Sequence, residues 1–292
     1  MRATLIVNPY ASRVTSAAIA AVEAALRPAV TLRTERAGDA TELAQVVATD
    51  AVVVFSGDGG FNEVLNGLPA GIAAGFVPGG GTSVLPRALG LPRDPVEAAR
   101  RIARSLESGH TRRIGLGRVN GRRFAFSAGV GLDADLVRRM DERGRDASGK
   151  RPSDLVFAWT AVRTLVERRA RFEPVLELVG QGRAAFALVG NCDPYTYAGR
   201  LPLRITPDAR FELGLDVTAP RRMSPLSLPR FVAYLVSGRG HARARDLIYG
   251  HDLDRLELRC DGPQPLQVDG EDLGDITEAL FESERDALDV LV

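Results

Sequence analysis

The stretch AVVVFSGDGGFNEVLNGL, Ala51 to Leu68, decides the fold. Val52-Val53-Val54-Phe55 is an apolar, β-branched run bounded by turn residues, the signature of a buried parallel strand. Ser56-Gly57-Asp58-Gly59-Gly60 reads as a tight glycine loop. Phe61, Val64, Leu65 and Leu68 then recur at i, i+3, i+4 and i+7, one face of a helix that Gly67 and Pro69 end. Strand, glycine turn and helix N-terminus together present unpaired backbone N–H groups to an anion, usually a phosphate. A carboxylate on that turn, Asp58, repels a bare phosphate unless a divalent cation bridges the two. Asn62 and Glu63 are expected on the first helical turn, within reach of the same ligand. Taken alone, the spacing also fits an ordinary strand-turn-helix connection.

Upstream, Leu5-Ile6-Val7 is a short strand, followed by the polar loop Asn8-Pro9-Tyr10-Ala11-Ser12 where α/β folds bind ligands. Thr15 or Ser16 caps an alanine-rich helix to about Arg27, and Ala29 to Arg33 returns as a strand ending at Thr34. Asp39 and Glu42 form a capping-box pattern for the next helix. Downstream, Gly75-Phe76-Val77 leads into a second glycine loop, Pro78-Gly79-Gly80-Gly81-Thr82-Ser83, and a short helix ended by Gly90. Two such loops on neighbouring strand ends can close round one polyphosphate. Asp94-Pro95 starts a further helix, with Val96, Ala99, Ile102, Ala103 and Leu106 on its buried side and Gly109 at its end. Strand and helix alternate throughout, which predicts a doubly wound parallel sheet over residues 1–112.

The pattern changes near residue 112. Arg113 to Val119 and Arg122 to Ser127 flank Asn120-Gly121, a strong hairpin signal. Val175 to Val179, Ala184 to Val189, Leu215 to Thr218, Leu253 to Leu258 and Leu266 to Val268 read as strands. The expectation is an antiparallel β-sandwich over residues 113–280, interrupted by a helix from Ser153 to about Arg171, with residues 281–292 returning to the first domain. Gly129 to Ala134 spells GxGxxA, but a polar basic loop follows instead of a strand ending in an acid, so no dinucleotide fingerprint is assigned. GRDASGKR, Gly144 to Arg151, lacks both the hydroxyl and the preceding strand of a phosphate-binding P-loop.

Lysine plus arginine number 38 against 37 aspartate plus glutamate, so net charge does not advertise a nucleic-acid binder. Lys150 is the single lysine, which excludes Schiff-base chemistry elsewhere. Two cysteines and three scattered histidines give neither a disulfide framework nor zinc-ligand spacing, and the reading is a reducing, cytoplasmic setting. No leader is read before the first strand, and no apolar run reaches the ~20 residues that span a bilayer. Arg138, Arg139, Arg143, Arg145, Arg151, Arg163, Arg168, Arg169 and Arg171 form either a solvated face or a patch for anionic headgroups edged by Leu155, Val156, Phe157 and Trp159.

SGDGGFNEVLNGL resembles the GGDGT-x-NE-x-x-NGL signature of the diacylglycerol kinase catalytic family, whose bacterial lipid kinases are related to sphingosine and ceramide kinases. Asn8 to Ser12 resembles that family's NPxSG loop, Thr34 before Gly38-Asp39-Ala40 its threonine-then-GDA pattern, and Pro78 to Pro92 its P-x-GTxND-FAR-ALGLP segment. Asp269-Gly270-Glu271 resembles its C-terminal DGE. The resemblance implies an ATP- and Mg2+-dependent kinase transferring the γ-phosphoryl group to a lipid hydroxyl of diacylglycerol type. It assigns nucleotide contact to Asn8, Pro9, Ser12, Thr34, Gly57, Asp58, Gly59, Gly60, Asn62, Glu63, Gly81 and Thr82, metal contact to Asp58, and catalysis to Glu271 as base with Asp269 in support. The implied partners are ATP, a lipid alcohol and the inner membrane face, with no nucleic acid, and a homodimer is admitted. Ser56 and Gly60 depart from the family's glycine and threonine. Val84, Gly115 and Leu213 stand where acids are customary. A kinase of a soluble alcohol such as NAD, and a degenerate nucleotide- or lipid-binding member, are the alternatives.

Overall fold

The computed structural model describes residues 1–142, 160, 163, 164, 166, 167 and 169–292. Two compact units divide the chain. Met1–Ile114 and Asp286–Val292 form the first, and the described residues from Gly115 to Arg285 form the second.

The first unit alternates β1 (Ala3–Val7), α1 (Ser16–Leu26), β2 (Val30–Arg33), α2 (Asp39–Gln45), β3 (Ala51–Ser56), α3 (Asp58–Gly67), β4 (Ala73–Pro78), α4 (Val84–Ala88) and α5 (Pro95–Ser108). Its strands pair in parallel in the order β2-β1-β3-β4, with Val7 beside Phe55 and Phe55 beside Val77. Val290, near the C-terminus, adds to β4 opposite Ala74. Every residue of β1, β3 and β4 is buried, as a sheet covered by helices on both faces requires. The helix ends follow the sequence signals. Thr15 Oγ1 accepts the Ala18 N–H at 3.1 Å, and the Asp94 carboxylate accepts those of Val96 and Glu97 ahead of Pro95. The capping box expected at Asp39 is not formed. Gly38 is the N-cap, and the Asp39 carboxylate turns back onto the Glu35 and Arg36 N–H groups.

The second unit holds β5 (Arg112–Val119, which enters from the first), β6 (Arg122–Phe124), β7 (Ser127–Val130), α6 (Leu132–Glu142), β8 (Leu176–Leu178), β9 (Gly182–Ala184), β10 (Ala187–Gly190), β11 (Thr196–Ala198), β12 (Leu201–Leu203), β13 (Leu215–Pro220), α7 (Leu228–Ser237), β14 (Leu247–Leu253), β15 (Arg255–Val268) and β16 (Glu271–Val290, which ends in the first unit). Antiparallel neighbours run β14-β13-β10-β7-β15-β16, with β8 and β9 added to β15. These strands enclose one apolar core that includes Phe124, Leu178, Val217, Leu258 and Phe281. Asn120 and Gly121 both have positive φ, 47° and 88°, as a two-residue type I′ hairpin turn demands.

Several elements differ from the sequence reading. Ala184 to Val189 breaks into two strands, because Phe186 turns into a separate cluster with Phe172, Tyr195 and Met223. Leu253 to Leu258 straddles a break between β14 and β15, where Asp252 has φ 57°. The basic loop expected after Ala134 is helix α6 as far as Glu142, with Asp133 and Asp135 in the first turn, and its remainder lies outside the described residues. The helix expected from Ser153 to Arg171 falls largely outside the described residues, as do GRDASGKR and Leu155 to Trp159.

The central glycine loop is shorter than its composition suggests. Helix α3 begins at Asp58, so Gly59 and Gly60 lie inside its first turn, and Asn62 and Glu63 fall beyond it. A Cβ at Gly60 would sit 2.1 Å from Ser56 Oγ. The two departures from the familiar signature are therefore one coupled change: the serine side chain occupies the room that a side chain at position 60 needs. Gly60→Thr alone overpacks the loop and should cost about 1–3 kcal/mol of stability by denaturant unfolding. Ser56→Gly with Gly60→Thr should recover most of that loss, and simply additive effects would contradict the coupling.

Candidate functional site

In the first unit the chain runs from β1 outward to β2 and then returns to β3 on the other side of β1, so the order of connection reverses between β1 and β3. Open α/β sheets bind ligands at such a switch point, outside the carboxyl ends of the strands. The loops that emerge there are the two glycine loops and Asn8 to Ser12, and they interlock through backbone. The Asn8 N–H donates to the Phe55 carbonyl at 3.0 Å, the Gly79 N–H to Ser56 at 2.7 Å, and the Arg13 N–H to Gly79 at 2.9 Å. A Cβ on Gly80 would come within 3.0 Å of the Gly57 Cα, and one on Gly79 within 2.9 Å of the Ser56 carbonyl. Only glycine lets the two loops lie this close.

Asp58 joins them. Its carboxylate oxygens accept the Val84 N–H at 3.0 Å and the Leu85 N–H at 3.2 Å. Helix α4 has Ser83 as N-cap with φ 48° and receives no cap from that side chain, so the loop across from it supplies the cap. The sequence reading saw Asp58 as an obstacle to an anion; here its charge is engaged by a helix N-terminus. The first N–H groups of α3 lack acceptors within the helix. Gly81 is exposed, Thr82 half-buried, and nothing stands within 4 Å of a Cβ placed on Gly81. Asn8 Oδ1 accepts the Tyr10 N–H at 3.0 Å, which shapes the loop through Pro9 and the half-buried Ser12. Thr34 is buried, and its N–H donates to Val7 at 3.0 Å. Asn62 is fully buried and accepts from Asn66, while the Glu63 carboxylate accepts the Ala40 N–H at 3.2 Å and ties α3 to α2.

The carboxylates of Asp269 and Glu271 belong to the second unit. Asp269 and Gly270, with φ 47° and 80°, form the two-residue turn between Val268 and Glu271, which pair as the last rung of β15 and β16. The Asp269 carboxylate is buried and accepts three backbone N–H groups, from Ala125 at 2.7 Å, Phe126 at 3.0 Å and Ser127 at 3.2 Å. Glu271 follows half-buried on the same hairpin. Around this turn lies a network that the sequence reading did not assemble. The Tyr195 hydroxyl donates to Asp133 at 2.7 Å. Gln267 Nε2 donates to Asp133 and to the Tyr195 oxygen, and Gln267 Oε1 accepts the Gly270 N–H at 2.9 Å. Burial pushes the Asp133 carboxyl up, against the lowering by its Tyr195 and Gln267 hydrogen bonds. Arg138 grips Asp272 at 2.8 Å and Asp275 at 2.7 Å, which holds their guanidinium partner firmly charged. Asp133 sits in the GxGxxA stretch and Gln267 in the strand that leads into Asp269-Gly270-Glu271, whereas no local pattern points to Tyr195.

Among the described residues no group of three or more His, Cys, Asp or Glu gathers to hold a metal ion. Asp58 is a single carboxylate, and it accepts the Val84 and Leu85 N–H groups. That donor set suits an ion carried on a polyphosphate with its waters, and does not suit a cage built by the protein. Of the arginine patch, Arg138, Arg139 and Arg163 are ion-paired within the second unit.

The sequence profile of the "Diacylglycerol kinase catalytic domain" family matches residues 2–119. A diacylglycerol kinase of Bacillus subtilis strain 168 is 38% identical over 107 residues, spanning 35% of this chain and 34% of that protein. One of Staphylococcus carnosus strain TM300 is 26% identical over 249 residues, covering 82% of this chain and 76% of its own. The crystal structure of a diacylglycerol kinase from Bacillus anthracis strain Sterne superposes with a TM-score of 0.71 at 20% identity, over 99% of this chain and 96% of that one. An NAD kinase from Archaeoglobus fulgidus in complex with ATP superposes with a TM-score of 0.53 at 11% identity, over 99% and 93%. The fold is thus that of diacylglycerol and NAD kinases, and residues 2–119 match the diacylglycerol kinase catalytic domain family.

Proposed function

We propose that the chain is an ATP-dependent kinase that phosphorylates the hydroxyl of a diacylglycerol-like lipid at a membrane surface. The observation that carries this reading is the Asp58 clamp, which fixes two glycine loops edge to edge at the switch point of a parallel sheet. Backbone N–H groups of Gly57, Gly59, Gly60, Gly81 and Thr82 face a polyphosphate, with Asn8, Pro9, Ser12 and Thr34 toward the rest of the nucleotide. Asn62 and Glu63 hold α3 in register behind them. Asp58 is the residue to hold Mg2+, which would offset charge on the phosphate oxygens.

In the proposed reaction the acceptor oxygen attacks the γ-phosphorus, its bond to the bridging oxygen breaks, and ADP leaves. Glu271 takes the proton of the attacking hydroxyl. The turn of Asp269 and Gly270 holds Glu271 in place, so Asp269 serves by positioning. Most of the barrier lowering in phosphoryl transfer comes from such positioning and from charge neutralisation.

Turnover of γ-labelled ATP with Mg2+ and total-lipid vesicles should yield a labelled lipid. Glu271→Gln should lower that turnover by about 10²–10⁴-fold, the usual worth of a general base, with ATP binding retained. Label passing to NAD instead would favour the soluble-alcohol reading, and ATP binding without any transfer the degenerate one. Asp269→Ala should act differently. It leaves three buried N–H groups without an acceptor at about 1–3 kcal/mol each, so a clear fall in melting temperature is expected. A variant that melts like the parent but is inactive would overturn the positioning role of Asp269. Asp58→Ala should weaken ATP binding by calorimetry and cost about 1.5–3 kcal/mol for each of the two charge-assisted hydrogen bonds lost.

A further inference from the structure

Helix α7 is apolar on two sides. Leu228, Phe231 and Leu235 turn inward onto the cluster of Phe172, Phe186 and Met223. A second apolar stripe faces solvent: Leu226 is 94% exposed, Val232 47% and Val236 44%, with Pro229 and Ala233 exposed between them. The helix carries one charge, Arg230, and not one of its residues is buried. A helix apolar all round is normally enclosed, and a contiguous exposed apolar stripe marks a contact surface.

The charges around it select the partner. From Arg221 to Arg245 the chain holds six arginines and no aspartate or glutamate. Arg222 pairs with Glu173 and Arg230 with Asp246. Arg239, Arg243 and Arg245 are exposed and, among the described residues, in no ion pair. Apolar side chains flanked by uncompensated arginines match a bilayer with anionic headgroups, where the stripe enters the acyl boundary and the guanidiniums stay among phosphates. A protein partner of ordinary mixed charge would leave those cations unmatched.

We propose that the outer face of α7, with Leu226 before it and Arg239, Arg243 and Arg245 after it, is the surface by which the second unit docks on an anionic membrane. This deepens the membrane contact of the proposed function and moves it from the segment around Arg138 and Trp159 to one that the sequence reading passed over.

The test is sedimentation of the full chain, without ATP, with phosphatidylcholine vesicles and with vesicles containing phosphatidylglycerol. The parent should favour the anionic vesicles and release in high salt. Leu226→Ser, Val232→Ser and Val236→Ser together should reduce partitioning at least tenfold in a protein that still melts cooperatively, because none of the three is part of the buried core. Arg239→Gln, Arg243→Gln and Arg245→Gln should reduce it about fivefold per arginine and flatten the salt dependence. Equal partitioning of parent and variants overturns the proposal, as does equal binding to neutral vesicles. A dimer in light scattering that the serine variant abolishes would assign the face to a second copy and also overturn it. Vesicle binding without lipid phosphorylation would leave this surface standing and sink the kinase reading alone.

Discussion

The first unit depends on one carboxylate accepting two backbone N–H groups from another loop. Without Asp58, the glycine loops after β3 and β4 would meet only by backbone contact, and α4 would begin with three or four unsatisfied donors and a left-handed residue at its N-cap. A hydrogen bond to a charged acceptor contributes about 1.5–3 kcal/mol, so two of them outweigh the strain of a non-glycine residue in the left-handed region. Once the clamp closes, the closest approaches fall on Gly79 and Gly80, where an added Cβ would lie 2.9 Å from the Ser56 carbonyl and 3.0 Å from the Gly57 Cα. The glycines and the aspartate are thus one device: the first permit the approach and the second fixes it.

The second unit uses the same device on a β scaffold. Asp269 sits in a turn that only positive φ can close, and its carboxylate gathers three N–H groups from the segment entering β7. In both units an acid that the sequence marks out as chemical is bound into backbone. Such placement gives a rigid first layer, since motions of the loop must break charge-assisted hydrogen bonds.

The first unit was legible because its signals are local. Buried strands are unbroken apolar runs, caps are single residues, and a glycine loop between them has few conformations. The second unit was less so, for physical reasons specific to each element. β16 is rich in glutamate and aspartate, which disguises a strand as a polar helix. α7 has one charged residue and so no polar face to set a period. Tyr195 reaches Asp133 and Gln267 across 62 and 72 positions of chain, a relation that no spacing rule carries. The coupling of Ser56 to Gly60 was likewise invisible until the two side-chain volumes were set in one loop.

Where nucleotide meets the chain is read directly by hydrogen exchange of the full protein with and without ATP and Mg2+. Slowed exchange is expected at residues 57–60 and 79–85, with smaller protection near Asn8 and Thr34. Protection confined to other segments, with those two loops exchanging as before, would contradict this expectation.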